Sequence, residues 1–147
     1  FVRRYIFDNV GLFDERLRVA VDTDWLIRLD NEGYKPTILK DILVIVNIHD
    51  GDRVRKDKMN LLNAYNIIFQ KNKKLINKDR ALIKKFLYKF QWLNYHQGQI
   101  KQGNKFFYQL ISKKIFSKKS ILLLLMFNSF NVKKARNLHA RISGQKI

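Results

Sequence analysis

No cysteine occurs in these 147 residues, so neither a disulfide nor a thiolate metal site can form. No apolar run exceeds Ile121–Phe127, far short of the roughly 20 residues a bilayer-spanning helix needs. That run suits a buried or an interfacial helix instead. Acidic residues are scarce too, but only in one part of the chain. Up to residue 52 there are seven Lys/Arg and ten Asp/Glu, whereas beyond it 23 Lys/Arg face two Asp/Glu. The net charge of +18 therefore belongs to the second stretch. Such a split predicts two parts with different partners: a mildly acidic part bearing a site, and a cationic part drawn to polyanions. What is plentiful is apolar side chain, 46% of the sequence, which argues for a folded chain. The chain opens on Phe1 with no signal-peptide pattern, and it is read as a piece of a longer protein.

Along the first part, Phe1 to Phe7 is a short apolar-rich run, and Asp8, Asn9 and Gly11 supply turn chemistry after it. Asp22 or Thr23 is expected to cap a helix running through Trp25, Leu26 and Leu29 and stopping at Gly33. Pro36 starts an extended piece, with Ile38–Leu39 and Ile42–Val46 as strand candidates. From about Arg53 onward every segment reads as helix. Leu61, Leu62, Tyr65, Ile68 and Phe69 form one stripe at helical spacing, and Leu82, Ile83, Phe86, Leu87, Phe90 and Leu93 a second. Gly98 and Gly103 are read as bracketing a turn before a third stripe of Phe106, Phe107, Leu110, Ile111 and Ile115. Two short helices, around Leu122–Phe127 and Val132–Ile142, complete the chain. Helices on short loops pack as antiparallel hairpins.

Asp22 and Asp24 stand two apart at a helix N-terminus, where free N–H groups and the macrodipole favour negative charge. A carboxylate held there is ionised at neutral pH and can accept a proton from a hydroxyl in a dry pocket. Capping the helix is the commoner use of such a residue.

The neighbouring residues add a pattern. Gly11-Leu12-Phe13-Asp14-Glu15, a six-residue gap, Asp22-Thr23-Asp24-Trp25-Leu26-Ile27-Arg28-Leu29, then Glu32-Gly33-Tyr34 and a late His49 follow one another in order. Together they resemble the second half of the catalytic domain of family 2 glycosyltransferases, inverting GT-A-fold enzymes that use nucleotide-activated sugars. The resemblance covers residues 2 to about 55. It implies that Asp22 is the general base, with Val21 standing where the family has Glu. It implies capping and ion pairing for Asp24 and Arg28, an acceptor-side role for Phe13, Asp14 and Glu15, and a place near substrate for Trp25. His49 would help hold a divalent metal, Mg²⁺ or Mn²⁺, or the diphosphate. Arg3, Arg4 and Arg53 are further candidates for gripping substrate phosphate. The family's nucleotide-binding half, with its Asp-x-Asp motif, would precede Phe1, so this stretch alone is expected to be incomplete as an enzyme. The expected fold is α+β: a truncated C-terminal portion of a GT-A-like α/β domain over residues 1–53, then a basic α-helical region over 54–147.

In the basic half, Lys73-Lys74, Lys84-Lys85, Lys113-Lys114, Lys118-Lys119 and Lys133-Lys134 flank apolar stripes. His96 and His139 are read as exposed. Lysine pairs beside Phe, Leu and Ile suit an anionic membrane surface, each Lys contributing about 1 kcal/mol. That partner ranks first, with a peripheral location at the cytoplasmic face of the inner membrane and a saccharide or lipid-linked acceptor for the nucleotide-sugar donor. A structural tail ranks second. Nucleic acid ranks third, because no zinc-finger, basic-zipper or ribonucleoprotein spacing is present. The alternative to an enzyme is thus a basic helical binding module without catalysis.

Overall fold

Four polar side chains mark where helices begin. Asp57, Asp79, Ser117 and Asn131 each accept hydrogen bonds from free N–H groups of the helix that follows. The structure, a computed structural model, describes residues 2–37, 39–41, 43–45 and 57–143. They contain eight helices: α1 (Arg4–Val10), α2 (Val21–Asn31), α3 (Lys58–Lys71), α4 (Lys73–Lys78), α5 (Arg80–His96), α6 (Ile100–Ser112), α7 (Lys118–Ser129) and α8 (Val132–Ile142).

Helix α5 is central and packs against α3, α4, α6, α7 and α8. Its apolar stripe explains why: Ile83, Phe86, Leu87, Phe90 and Leu93 are all buried, joined by Leu62 and Ile68 of α3 and Leu110 of α6. A second cluster of Tyr95, Leu123, Met126, Phe127 and Ala135 holds α7 and α8 against the C-terminal end of α5. The acidic segment is not separate from this core. Leu17 is buried in it, and Val19, Val21 and Ile27 pack on its edge.

The α+β expectation, with its GT-A-like α/β portion, is overturned: among the described residues every regular element is a helix, and there is no strand or sheet. The β-branched run after Pro36 misled the reading. Strand propensity measures fit to a pleated, half-buried surface beside a neighbour, and among the described residues Leu43, Val44 and Ile45 have no such neighbour, Ile45 being 85% exposed. Ile38, Ile42 and Val46 lie outside the described residues. Asp8 and Asn9 likewise sit inside α1 rather than in a turn, and the helix stops at Gly11, where φ is +84°. Helix α2 starts earlier than Asp22, after Ala20 in the left-handed region, with no side-chain cap. Gly33 does end it, at φ +79° with the Tyr34 N–H donating to the Leu29 carbonyl at 3.2 Å.

Gly103 corrects another expectation. It lies within α6, not at a turn, and a Cβ there would fall 2.2 Å from two ring carbons of Tyr95. That ring cannot yield readily: it is fully buried, stacked on Phe127 at 5.1 Å, and its hydroxyl donates to Asn104 at 2.6 Å. Gly103→Ala is expected to destabilise the fold by about 2 kcal/mol, overpacking outweighing the better helix propensity of Ala. Urea unfolding checks it; an unchanged or raised midpoint would refute this account of the α5–α6 contact.

Candidate functional site

The loop between α1 and α2 is stitched to α2 by two side chains one turn apart. Trp25 donates its indole N–H to the Gly11 carbonyl at 2.9 Å, and its ring stacks on Phe7 at 5.0 Å. Arg28 spreads its guanidinium over the loop backbone, donating to the Leu12 carbonyl at 2.7 Å and to the Val10 carbonyl. Gly11 is required at that crossing, since a Cβ would sit 3.1 Å from Arg28 Nη1 on a backbone already at positive φ.

Asp24 is the electrostatic centre. It is 0% exposed, yet every side of its carboxylate is met by a donor. Arg28 Nε lies at 3.1 Å, Lys71 Nζ at 2.9 Å and Asn72 Nδ2 at 2.9 Å. A buried charge is tolerable only when paired and hydrogen-bonded in this way. Lys71 extends the network by donating to Asp14 at 2.9 Å, and Arg16 grips Asp14 through Nε at 2.9 Å and Nη2 at 2.7 Å. The Arg16 hydrogen bond, and then that of Lys71, hold the Asp14 carboxyl well below the usual carboxylate range.

The two segments that the sequence placed in one site thus converge, through Arg28, Trp25 and Lys71. Their members divide into two kinds. Asp14, Asp24, Trp25 and Arg28 are engaged inside the protein; Trp25 is buried, so its indole holds the loop rather than facing solvent. Asp22 is exposed in the first turn of α2 rather than held in the dry pocket expected of a base, and its Oδ1 accepts from the Thr23 N–H at 2.9 Å. Phe13 is half exposed, and Glu15, Arg3 and Arg4 are exposed. From Thr23, beside Asp22, a groove of about 460 Å³ runs along α2, floored by Leu26, Ile27, Leu75 and Leu82 and edged by Asp30 and Lys85.

His49 and Arg53 lie outside the described residues. Among the described residues no group of three or more His, Cys, Asp or Glu is arranged to hold a metal ion. The two carboxylates that do converge, Asp14 and Asp24, are already met by cations. They do not form a Mg²⁺ or Mn²⁺ site as they stand.

Sequence reasoning missed Lys71, Asn72 and Tyr65. The first two lie 47 and 48 residues from Asp24, so no local pattern could link them. Tyr65 faces the head of α2: burial pushes its hydroxyl up, a hydrogen bond with Thr23 opposes this, and the charge of Asp22 adds to it. No family model, curated protein or solved structure matches this chain.

Proposed function

We propose that this chain carries the general base of an inverting glycosyltransferase, Asp22, on a scaffold made by the other residues of the same motif. The observation that supports the reading is the contrast between the two aspartates of one helical turn. Asp24 is buried and saturated by Arg28, Lys71 and Asn72, whereas Asp22 meets solvent and, among the described residues, bonds only to the adjacent backbone N–H. Thr23, next to Asp22, lines the groove along α2, and a carboxylate that cations do not saturate keeps its oxygens open to a substrate hydroxyl. One serving as a base must reach a hydroxyl.

In that role Asp22 takes the proton from an acceptor hydroxyl as its oxygen forms a bond to the anomeric carbon. The bond from that carbon to the nucleoside diphosphate breaks in the same displacement, inverting the centre. The Leu26 and Ile27 floor supplies an apolar face for the acceptor, and the half-exposed Phe13 a stacking surface for a sugar ring. The candidates in this chain for the nucleotide's charge are Arg3 and Arg4, both exposed, with His49 and Arg53, which lie outside the described residues.

The test uses the protein expressed from its full reading frame, incubated with a panel of nucleotide sugars and saccharide or lipid-linked acceptors. Nucleoside diphosphate release is expected to depend on acceptor and to fall about 10²- to 10⁴-fold in Asp22→Asn, the usual contribution of a general base. Release that persists within tenfold in the variant would remove Asp22 from the chemistry.

A further inference from the structure

Asp79 is the last acidic side chain in the sequence; residues 80–147 carry fifteen Lys/Arg and no Asp or Glu. Helices α5 to α8 therefore carry no carboxylate of their own, and their mutual repulsion favours an anionic partner. The lysines are also placed without regard to helix dipoles. Lys118 and Lys119 occupy the first turn of α7, where a cation is disfavoured.

Helix α7 has a second peculiarity. Its inward residues Leu123, Met126 and Phe127 are buried in the core, as an amphipathic helix requires. Its outward face is apolar as well: Ile121 and Leu122 are exposed and Leu125 is 57% exposed. Along that face Lys118, Leu122, Leu125 and Ser129 fall at i, i+4, i+7 and i+11, so lysine stands at one end of an aliphatic stripe. Phe130, just beyond the helix, is also exposed, with Lys134 Nζ 4.9 Å from its ring centre. The Asn104–Asn128 amide pair ties this end of α7 to α6, whose outward face carries Lys101, Lys105 and Tyr108.

We infer that the outer face of α7 is a docking surface for an anionic lipid bilayer, with Ile121, Leu122 and Leu125 entering the headgroup boundary and the surrounding lysines contacting lipid phosphates. Charge complementarity selects an anionic partner. The aliphatic stripe selects among anionic partners, because leucines gain from an acyl boundary and offer bases nothing to stack on. Length fits too: no helix among the described residues is long and apolar enough to cross a membrane, so α7 lies in the interface plane. This inference does not depend on the transferase reading.

The absence of native cysteine makes a direct probe available. Leu125→Cys and, as a control on the exposed side of α3, Asn63→Cys are each labelled with an environment-sensitive fluorophore and titrated with vesicles of phosphatidylcholine alone or mixed with phosphatidylglycerol. A blue shift is expected only for the label at position 125 and only with the anionic vesicles. In flotation of the unlabelled chain, Leu122→Ser combined with Leu125→Ser is expected to lower binding about tenfold or more, with an unchanged circular dichroism spectrum. Equal shifts at both positions, no shift at 125, or duplex DNA retarded in a gel without vesicle binding would each overturn the inference.

Discussion

Asp24→Ala is expected to cost about 3–5 kcal/mol, enough to unfold or nearly unfold a domain of this size. The loss is large because of what remains after the carboxylate goes. Arg28 and Lys71 were arranged around it at 3.1 and 2.9 Å, and Asn72 Nδ2 at 2.9 Å. Removing the anion leaves two cations facing each other and a buried amide with one partner fewer. The damage spreads, since Arg28 also carries the Leu12 and Val10 carbonyls and Lys71 also holds Asp14. Asp24→Asn should cost less, keeping the shape but not the charge. Urea unfolding followed by circular dichroism measures both. Equal stability of Asp24→Ala and the unmodified protein would mean that the network does not hold α2 to α3.

Acid sensitivity is the second large effect, and it originates far from Asp24. His96 is buried at the end of α5, its ring 4.6 Å from Trp92, 5.2 Å from His139 and 5.3 Å from Phe127. Neither of its ring nitrogens has a hydrogen-bond partner among the described residues. Burial, with repulsion from His139, Lys58 and Arg136, pushes its pKa down to about 3. Burial pushes His139 down as well. In the unfolded chain His96 titrates near its ordinary 6.5 and binds a proton that the folded state refuses. Stability from this group is therefore complete above 6.5 and falls as the pH is lowered toward 3, by about 1.4 kcal/mol per pH unit. His96→Leu should flatten the upper part of that fall without loss at neutral pH, because the orphaned nitrogens are removed with the ring. Unfolding midpoints of both proteins across this range report the difference. Parallel curves would assign the acid sensitivity elsewhere.

Much of the helical part was legible because its signal is local and periodic. The stripes at Leu61–Phe69 and Leu82–Leu93 became α3 and α5, and the last helix spans Val132–Ile142 as read. Gly33 could be read as a helix end because only a residue tolerant of positive φ fits there. Failures came where a residue's meaning depends on distant neighbours. Ile and Val after Pro36 looked like strand, but a strand exists only through a partner. Gly103 looked like a turn, while its use is to admit the Tyr95 ring. His96 and His139 were read as exposed from their basic surroundings in sequence, yet both pack around Trp92. In the candidate site the motif order put Gly11–Glu15 and Asp22–Arg28 in one pattern, whereas the cation that joins them, Lys71, was not readable, and His49 lies outside the described residues.

On the proposed reading the two aspartates flanking Thr23 do different work, Asp22 reactive and Asp24 structural. Asp22→Asn and Asp24→Asn, made in the protein from the full reading frame, are compared for unfolding midpoint and for sugar transfer together. The expected result is a stable, folded Asp22→Asn, within about 0.5 kcal/mol of the parent, that has lost transfer, beside an Asp24→Asn whose midpoint has dropped. An Asp22→Asn protein that still transfers sugar at the parental rate would contradict the claim.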